Sequence, residues 1–532
     1  MGNCRAVFVL FGIGLASIFF SSNVLANNLN ISNVRLGARD PQAKTVTVFF
    51  DVSWDNSWRN KVNHDAAWLT VRLFDTSAAS GEKRLCKLIA SGVAPAGSAA
   101  GTNDNAELYV PVDKVGAFIR PLAHKDISSF SSSDVKVTVD YSNCGFAENT
   151  TIAVNVVGLE MVLIPAGSFY AGDQGSANAS LRKGSADTNP WNIESNAPIT
   201  VSAVANGGYY YVSGDNPGEA PSGASFVIPQ DFPKGYSAFY AMKYELTEGL
   251  WVEFVNSLPA AARVSRDITN ASHKNSDAVV FRNTVACSGS PLVCSTQRPF
   301  RAVSYLSWMD LCAFLDWAGL RPWSELEFEK AARGPALPLA GEFAWGNKVA
   351  IPASALSAVE EDGTETVTTL NANASFAEPG LTGGDAVKGL EYQKGPLRAG
   401  IFSTPNSTRI AAGAGKYGQM ELSGNLKEWA VTIGNAQGLA LAVNEKNGYA
   451  NGNGYLTTTP GSEGNADVAG WPGMGSDTTK GVVASVGAGL RGGSWQDGVG
   501  RLQVSDRTEA ALVTANGGPA TGGRGVRTVD GQ

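Results

Sequence analysis

Tyr417-Gly-Gln-Met-Glu-Leu-Ser-Gly-Asn-Leu-Lys-Glu-Trp429, followed much later by Leu490-Arg-Gly-Gly-Ser-Trp495, is the stretch that decides the fold. Glycine-bearing turns and acidic side chains stand beside aromatics of the buried type. Such a backbone holds something at a loop and does not read as a plain core strand. No cysteine follows Ser494-Trp495, and Cys312 is the last one in the chain.

Around this stretch, helix signals nearly vanish from Gly341 onward, and turn dipeptides run throughout. Before it, Leu250, Phe254 and Leu258 recur at helical spacing, with Pro259 beyond the end. Ser307 with Asp310, and Ser324 with Glu327, stand in capping-box positions that predict two more helices. Leu311, Phe314, Leu315 and Ala318 give the first of these an apolar face, and Gly319 closes it. Gly158 to Gly172 reads as a strand pair turning at Pro-Ala-Gly, followed to about Gly235 by long loop with short strands. The expectation is a few helices on a small twisted sheet with very long loops.

Residues 27–155 read as all-β. Val46 to Trp54, Ala67 to Phe74, Glu107 to Val112 and Val135 to Tyr141 alternate and are rich in β-branched and aromatic residues. Length and spacing suit an immunoglobulin-like sandwich. His64 and His124 fall in loop-like surroundings there and are expected to be solvated. Residues 1–26 read as a secretory signal: Arg5, the apolar run Val7 to Phe20, and a small-residue cleavage site ending at Ala26. That run is short of the ~20 residues a membrane span needs, and no later run is longer. The chain is thus expected to be secreted, extracellular or periplasmic, and not membrane-spanning. The divisions are 1–26 signal, 27–155 β-sandwich and 157–529 the loop-rich domain.

Cys86 and Cys144 share the N-terminal region and can pair; Cys287 and Cys294 flank a short loop that a disulfide can close. Cys312 reads as a buried free thiol. A formal net charge of -7 with no Lys/Arg block argues against nucleic-acid binding, which draws its affinity from clustered cations.

Eight segments in order resemble the formylglycine-generating enzyme family, also called sulfatase-modifying factor domains. They are Met161 to Phe169, Tyr244 to Glu248, Arg298 to Tyr305, Trp317 to Gly334, Phe343 to Asn347, Tyr417 to Trp429, Leu490 to Trp495 and Arg524 to Arg527. The resemblance implies an α+β fold, C-type-lectin-like, with long loops. It also implies a cysteine pair just after Gly-Gly-Ser that binds copper through thiolates. Here those positions fall near Asp497 and Leu502, so copper and formylglycine formation are not expected. A sister branch uses a histidine-ligated iron. With only His64, His124 and His273 present, no such site is expected either.

The resemblance further implies structural calcium, an ion that takes six to eight hard oxygen ligands. The first site would use the Glu421 and Glu428 side chains with the Gly424 and Leu426 carbonyls. A second would use Asn373, the Ala374 carbonyl, Asp385 and the Val387 carbonyl. Arg491, Trp495, Arg507 and Arg527 read as structural, and Trp345, Trp429 and Trp495 as core or cleft-wall aromatics.

Three functional classes follow. The first is a secreted non-catalytic protein whose surface, including Trp495, Gln496, Asp497, Arg501, Asp506 and Arg507, binds a protein or glycan ligand. Some proteins with this fold carry hypervariable C-terminal residues written by retroelements, which here would be residues 494–527. The second is a metal-dependent oxidoreductase of altered chemistry, with a pocket of Asp497, Arg501, Asp506 and Arg507. The third is a structural part of an envelope or secretion assembly.

Overall fold

The computed structural model describes residues 28–529 except 79–80, 148, 176, 358–360, 378–393, 405–406 and 444–449. The signal segment and Cys4 therefore lie outside the described residues. The chain opens with β1 (Asn30–Asp40), β2 (Thr45–Arg59), β3 (Asp65–Asp75), β4 (Arg84–Leu85), β5 (Gly92–Val93), β6 (Ala106–Val110), β7 (Ala117–Pro121), β8 (Lys125–Asp140) and β9 (Ile152–Ile164). Six short strands follow: β10 (Phe169–Ala171), β11 (Arg182–Lys183), β12 (Trp191–Ile193), β13 (Ile199–Val201), β14 (Tyr209–Tyr210) and β15 (Phe226–Ile228). Then come β16 (Phe239–Met242), α1 (Glu248–Ser257), α2 (Ala260–Ser265), β17 (Ala286–Ser288), β18 (Val293–Ser295), α3 (Trp308–Trp317) and α4 (Glu325–Arg333). The chain closes with β19 (Lys427–Val431), β20 (Ala488–Arg491), β21 (Thr521–Gly522) and β22 (Val526–Thr528).

β1, β2 and β8 form one antiparallel sheet. Alternation along β2 turns Val46, Val48, Phe50, Val52 and Trp54 inward. They share a core with Leu69, Val71 and Leu73 of β3 and Val156 of β9, which makes a two-layer sandwich. The second layer does not end with that core. β9 pairs with β3 from Ile152 opposite Asp75 to Val162 opposite Asp65. Its last four residues also pair with β16, which in turn pairs with β22 near the C-terminus. One sheet, ordered β22-β16-β9-β3-β7-β6-β5 among the described residues, thus runs through both halves. The boundary read at 155/157 falls inside β9.

The helix signals are met. Ser307 and Asp310 form a reciprocal cap on α3, and Ser324 and Glu327 do so on α4. Gly319 follows α3 at φ +70°, a left-handed geometry that glycine adopts without a Cβ penalty. The disulfides are Cys86–Cys144 and Cys287–Cys294, the second bridging the β17–β18 hairpin. Cys312 is free and buried on α3, and burial raises its thiol pKa well above the ordinary range.

Two expectations need correction. The strands expected between Gly158 and Gly172 form, but β9 pairs with β3 and β16, and β10 pairs with β12. His64 is buried rather than solvated: it accepts or donates at Tyr240 Oη over 2.7 Å. Burial, then Arg120 and Arg59, pushes its pKa down to about 3.

Candidate functional site

The Gly424–Trp429 turn is held from two sides. Glu245, just after β16, accepts from the Asn425 side chain at 2.5 Å and from the Leu426 amide at 3.0 Å. The side-chain oxygen of Asn425, a residue at φ +64°, accepts the Leu397 amide at 2.8 Å. Its carbonyl accepts the Trp495 amide at 2.9 Å. Trp495 then packs on Ala302, Leu426 and Phe281, and its indole N–H reaches the Pro519 carbonyl at 3.1 Å. The two sequence motifs are thereby one physical unit, and β19 adds to it by pairing Glu428 with Arg491 of β20.

Arg524 lies at the centre of this unit. Its guanidinium donates to both Glu428 oxygens, each at 2.7 Å. Its remaining donors reach the Met420 carbonyl at 2.6 Å and the Lys243 and Met242 carbonyls at 3.2 and 3.3 Å. An all-oxygen nest of the kind calcium prefers is therefore filled by a side-chain cation. Glu421 accepts the Gly400 amide at 2.7 Å and keeps its other oxygen unpartnered. Burial, with the Glu428 charge adding to it against Arg524, raises its pKa to about 7. Burial and the neighbouring Glu428 and Glu421 raise Glu245 well above the usual carboxylate range. Glu428, one of the two carboxylates expected at the first calcium site, already has both oxygens on Arg524, so an ion there would have to share or displace that guanidinium.

Of the second expected shell, Asn373 and the Ala374 carbonyl are described. The Asn373 side-chain oxygen accepts the Ile351 amide at 3.0 Å, and the Ala374 carbonyl accepts the Ala353 amide at 2.9 Å. Asp385 and Val387 lie outside the described residues. Among the described residues no cluster of three or more His, Cys, Asp or Glu is placed to hold a metal.

The six residues expected on a binding surface divide. Gln496 is exposed, and Asp497 and Arg501 are partly so. Asp497 accepts from Ser494 at 2.6 Å and faces Lys427 at 3.4 Å; Lys427 also reaches Glu509 at 2.8 Å. Arg501 lies 3.6 Å from Asp506, which is itself buried and accepts from Asn178. Trp495, Asp506 and Arg507 are buried and leave the surface set. Arg507 points inward onto Glu325, Tyr211 and the Ala179 and Val212 carbonyls. Of the four residues expected to line a pocket, Arg501 faces Asp506, while Asp497 and Arg507 are engaged by other partners.

The structural reading of the arginines holds in detail. Arg491 bridges Glu325 and Glu329 at 2.9 and 2.8 Å, and Arg527 grips Asp113 of the front sandwich at 2.6 Å. Burial would raise the Glu325 pKa, but Arg507 and Arg491 outweigh it and hold the carboxyl below its ordinary value. Trp345 and Trp429 are core residues, with indole N–H groups on Asn347 and on the Leu306 carbonyl. Near where the resemblance would put the copper thiolates, Leu502 is fully buried in the cluster that holds Phe328 and Leu422, and Asp497 is ion-paired. Sequence reading missed Glu245 and the role of Arg524, because each works through a partner distant in the chain.

Among curated proteins none matches this chain. A solved structure, Treponema denticola variable protein 1, is similar at 12% identity over 72% of this chain and 98% of that chain, with a TM-score of 0.30. The sulfatase-modifying factor enzyme 1-like domain matches residues 148–529, from just before β9 to the end of the described chain. With most of its length so matched and the motif loops joined in one buried unit, the chain belongs to the sulfatase-modifying factor enzyme 1-like family.

Proposed function

We propose that this chain is a secreted, non-catalytic binding protein that presents a recognition surface on a lectin-like scaffold. One observation carries the reading: no cysteine follows Cys312, and near where the resemblance would put two copper-binding thiolates the chain has Asp497 paired with Lys427 and Leu502 sunk in the core. Neither side chain supplies a soft thiolate for Cu(I). What faces outward beside them is polar: Gln496, Asp497 and Arg501, carried on a rigid, hydrogen-bonded base. The ligand would be a protein or a glycan, and the front sandwich would set the spacing of this surface from its support.

The test has two arms. Purified mature chain, loaded with copper and offered cysteine peptides in oxygen, is expected to form no aldehyde. A labelled chain is expected to bind a defined protein or glycan, with binding lost in Gln496→Arg and Arg501→Glu variants that melt like the wild type. Aldehyde formation, or binding indifferent to both variants, would overturn the reading.

A further inference from the structure

Arg72 of β3 is a buried cation that the chain leaves unpaired. It is 1% exposed and reaches from the front sandwich to the end of α3. One of its nitrogens donates to the Trp317 carbonyl, and the guanidinium lies 4.0 Å over the Trp317 ring. Its Nε is buried without a partner. Among the described residues no carboxylate forms an ion pair with it. Glu253, whose charge reaches it, is held by Lys83 at 2.6 Å. Taking a charge out of water is costly unless a partner meets it. Burial accordingly draws the Arg72 pKa down to about 9, against the opposing pull of Glu253 and Tyr455.

This unmet charge borders a hollow of about 390 Å³ between the front sandwich and the family domain. Small-molecule sites run to ~300–1,000 Å³ and favour such seams. Trp317 lines the same hollow, and its indole N–H, a donor only, is likewise buried without a partner. The other charges there are accounted for. Lys83 holds Glu253, and Arg84 lies 3.0 Å from Glu82 and donates to the Gly145 carbonyl at 3.1 Å. Glu463 is partly exposed and accepts the Gly461 amide at 2.9 Å. Arg72 is thus the buried charge left unmatched, and one such charge suits a monoanion better than a phosphate dianion. Leu85, Leu258, Pro259, Ala262 and Leu456 give the wall its apolar part, while Ser257 and Thr457 spend their hydroxyls on the Phe254 and Ser462 carbonyls. We propose that the hollow binds a small carboxylate with an apolar body, its carboxyl at the Arg72 guanidinium and its body against these aliphatic side chains. A guanidinium–carboxylate bond is charge-assisted and among the strong ones.

The experiment titrates the full mature chain by calorimetry with octanoate, 3-phenylpropionate and acetyl-Leu-Leu bearing a free carboxyl, each beside its own amide. At least one acid is expected to bind, and its amide roughly tenfold more weakly or worse. Binding of octanoate or phenylpropionate assigns the site to a free acid; binding of acetyl-Leu-Leu alone assigns it to the carboxyl end of a peptide. Arg72→Met should abolish the preference for acid over amide. Without ligand it should melt no lower than the wild type, because it removes an unpaired buried charge. Ala261→Trp changes an exposed side chain of the hollow, so it leaves folding intact and should weaken binding roughly tenfold by filling the space. Gln496→Arg and Arg501→Glu should leave binding unchanged, which separates this site from the surface proposed above. Failure of all three acids to bind would overturn the proposal. So would acids and amides binding alike, or acid binding that ignores both Arg72→Met and Ala261→Trp.

Discussion

Arg524 donates to both oxygens of Glu428 at 2.7 Å, and neither side chain touches solvent. A guanidinium is permanently charged and forks to match a carboxylate, so it can serve as a built-in cation. Removing it strands Glu428, and deleting one partner of a buried pair costs about 3–5 kcal/mol. Arg524→Met is therefore expected to lose that much in urea unfolding. The wild type, by contrast, should melt at the same temperature in a calcium chelator as in millimolar calcium. A chelator-induced drop that Glu428→Gln abolishes would show that the metal holds the nest after all.

Leu502 is packed against Gly424 and Gly493, with Phe328 and Leu422 in the same cluster. Leu502→Ala is expected to cost about 2–5 kcal/mol, the range for opening a cavity in a packed core. Asp497→Ala, at a partly exposed pair, should cost no more than about 1 kcal/mol. Urea titrations of the two variants check the contrast, and equal costs would contradict the packing described.

β9 predicts how the chain can be cut. A fragment of residues 27–155 keeps the pairs from Asp75–Ile152 to Arg72–Asn155 and loses the seven from Val71–Val156 to Asp65–Val162. It is expected to show no cooperative thermal transition by circular dichroism. Extending it through Ile164 should restore one, because the sandwich then regains its central strand. Equal melting of the two fragments would refute this.

Three buried groups illustrate opposing contributions to the pH dependence. Burial raises Glu160 from 4.5 to about 8 and Glu421 to about 7. The folded chain therefore holds their protons where the unfolded chain does not. Their contribution is full below about pH 4.5 and is lost as pH rises through 7 to 8. His64 acts in the opposite sense: depressed to about 3, it contributes above pH 6.5 and its share is lost as pH falls toward 3. Among these groups only the carboxyls act between pH 6.5 and 8. Buried Lys330, Lys274 and Lys234, pushed down to about 7, 8 and 8, act in the opposite sense there, so the difference between chains is the test: across that interval the melting temperature is expected to fall more, or rise less, in the wild type than in Glu160→Gln. Parallel pH curves for the two chains would rule this out.

What was legible in the sequence was local. The caps at Ser307 and Ser324 and the alternation along β2 depend on residues a few positions apart, so spacing reveals them. The β9–β16 pairing, the Glu245–Asn425 bond and the Arg524–Glu428 pair join residues from 75 to 180 positions apart, and no periodicity marks them. His64 was misread because it stands beside a polar turn, while its imidazole meets Tyr240 from a strand that comes much later.

Because β9 belongs at once to the sandwich and to the family domain, the front half is not a bead on a string. A force applied at either end passes along one hydrogen-bonded ladder. A pull on one half is therefore borne by backbone bonds of the other, with no flexible hinge at β9 to absorb it.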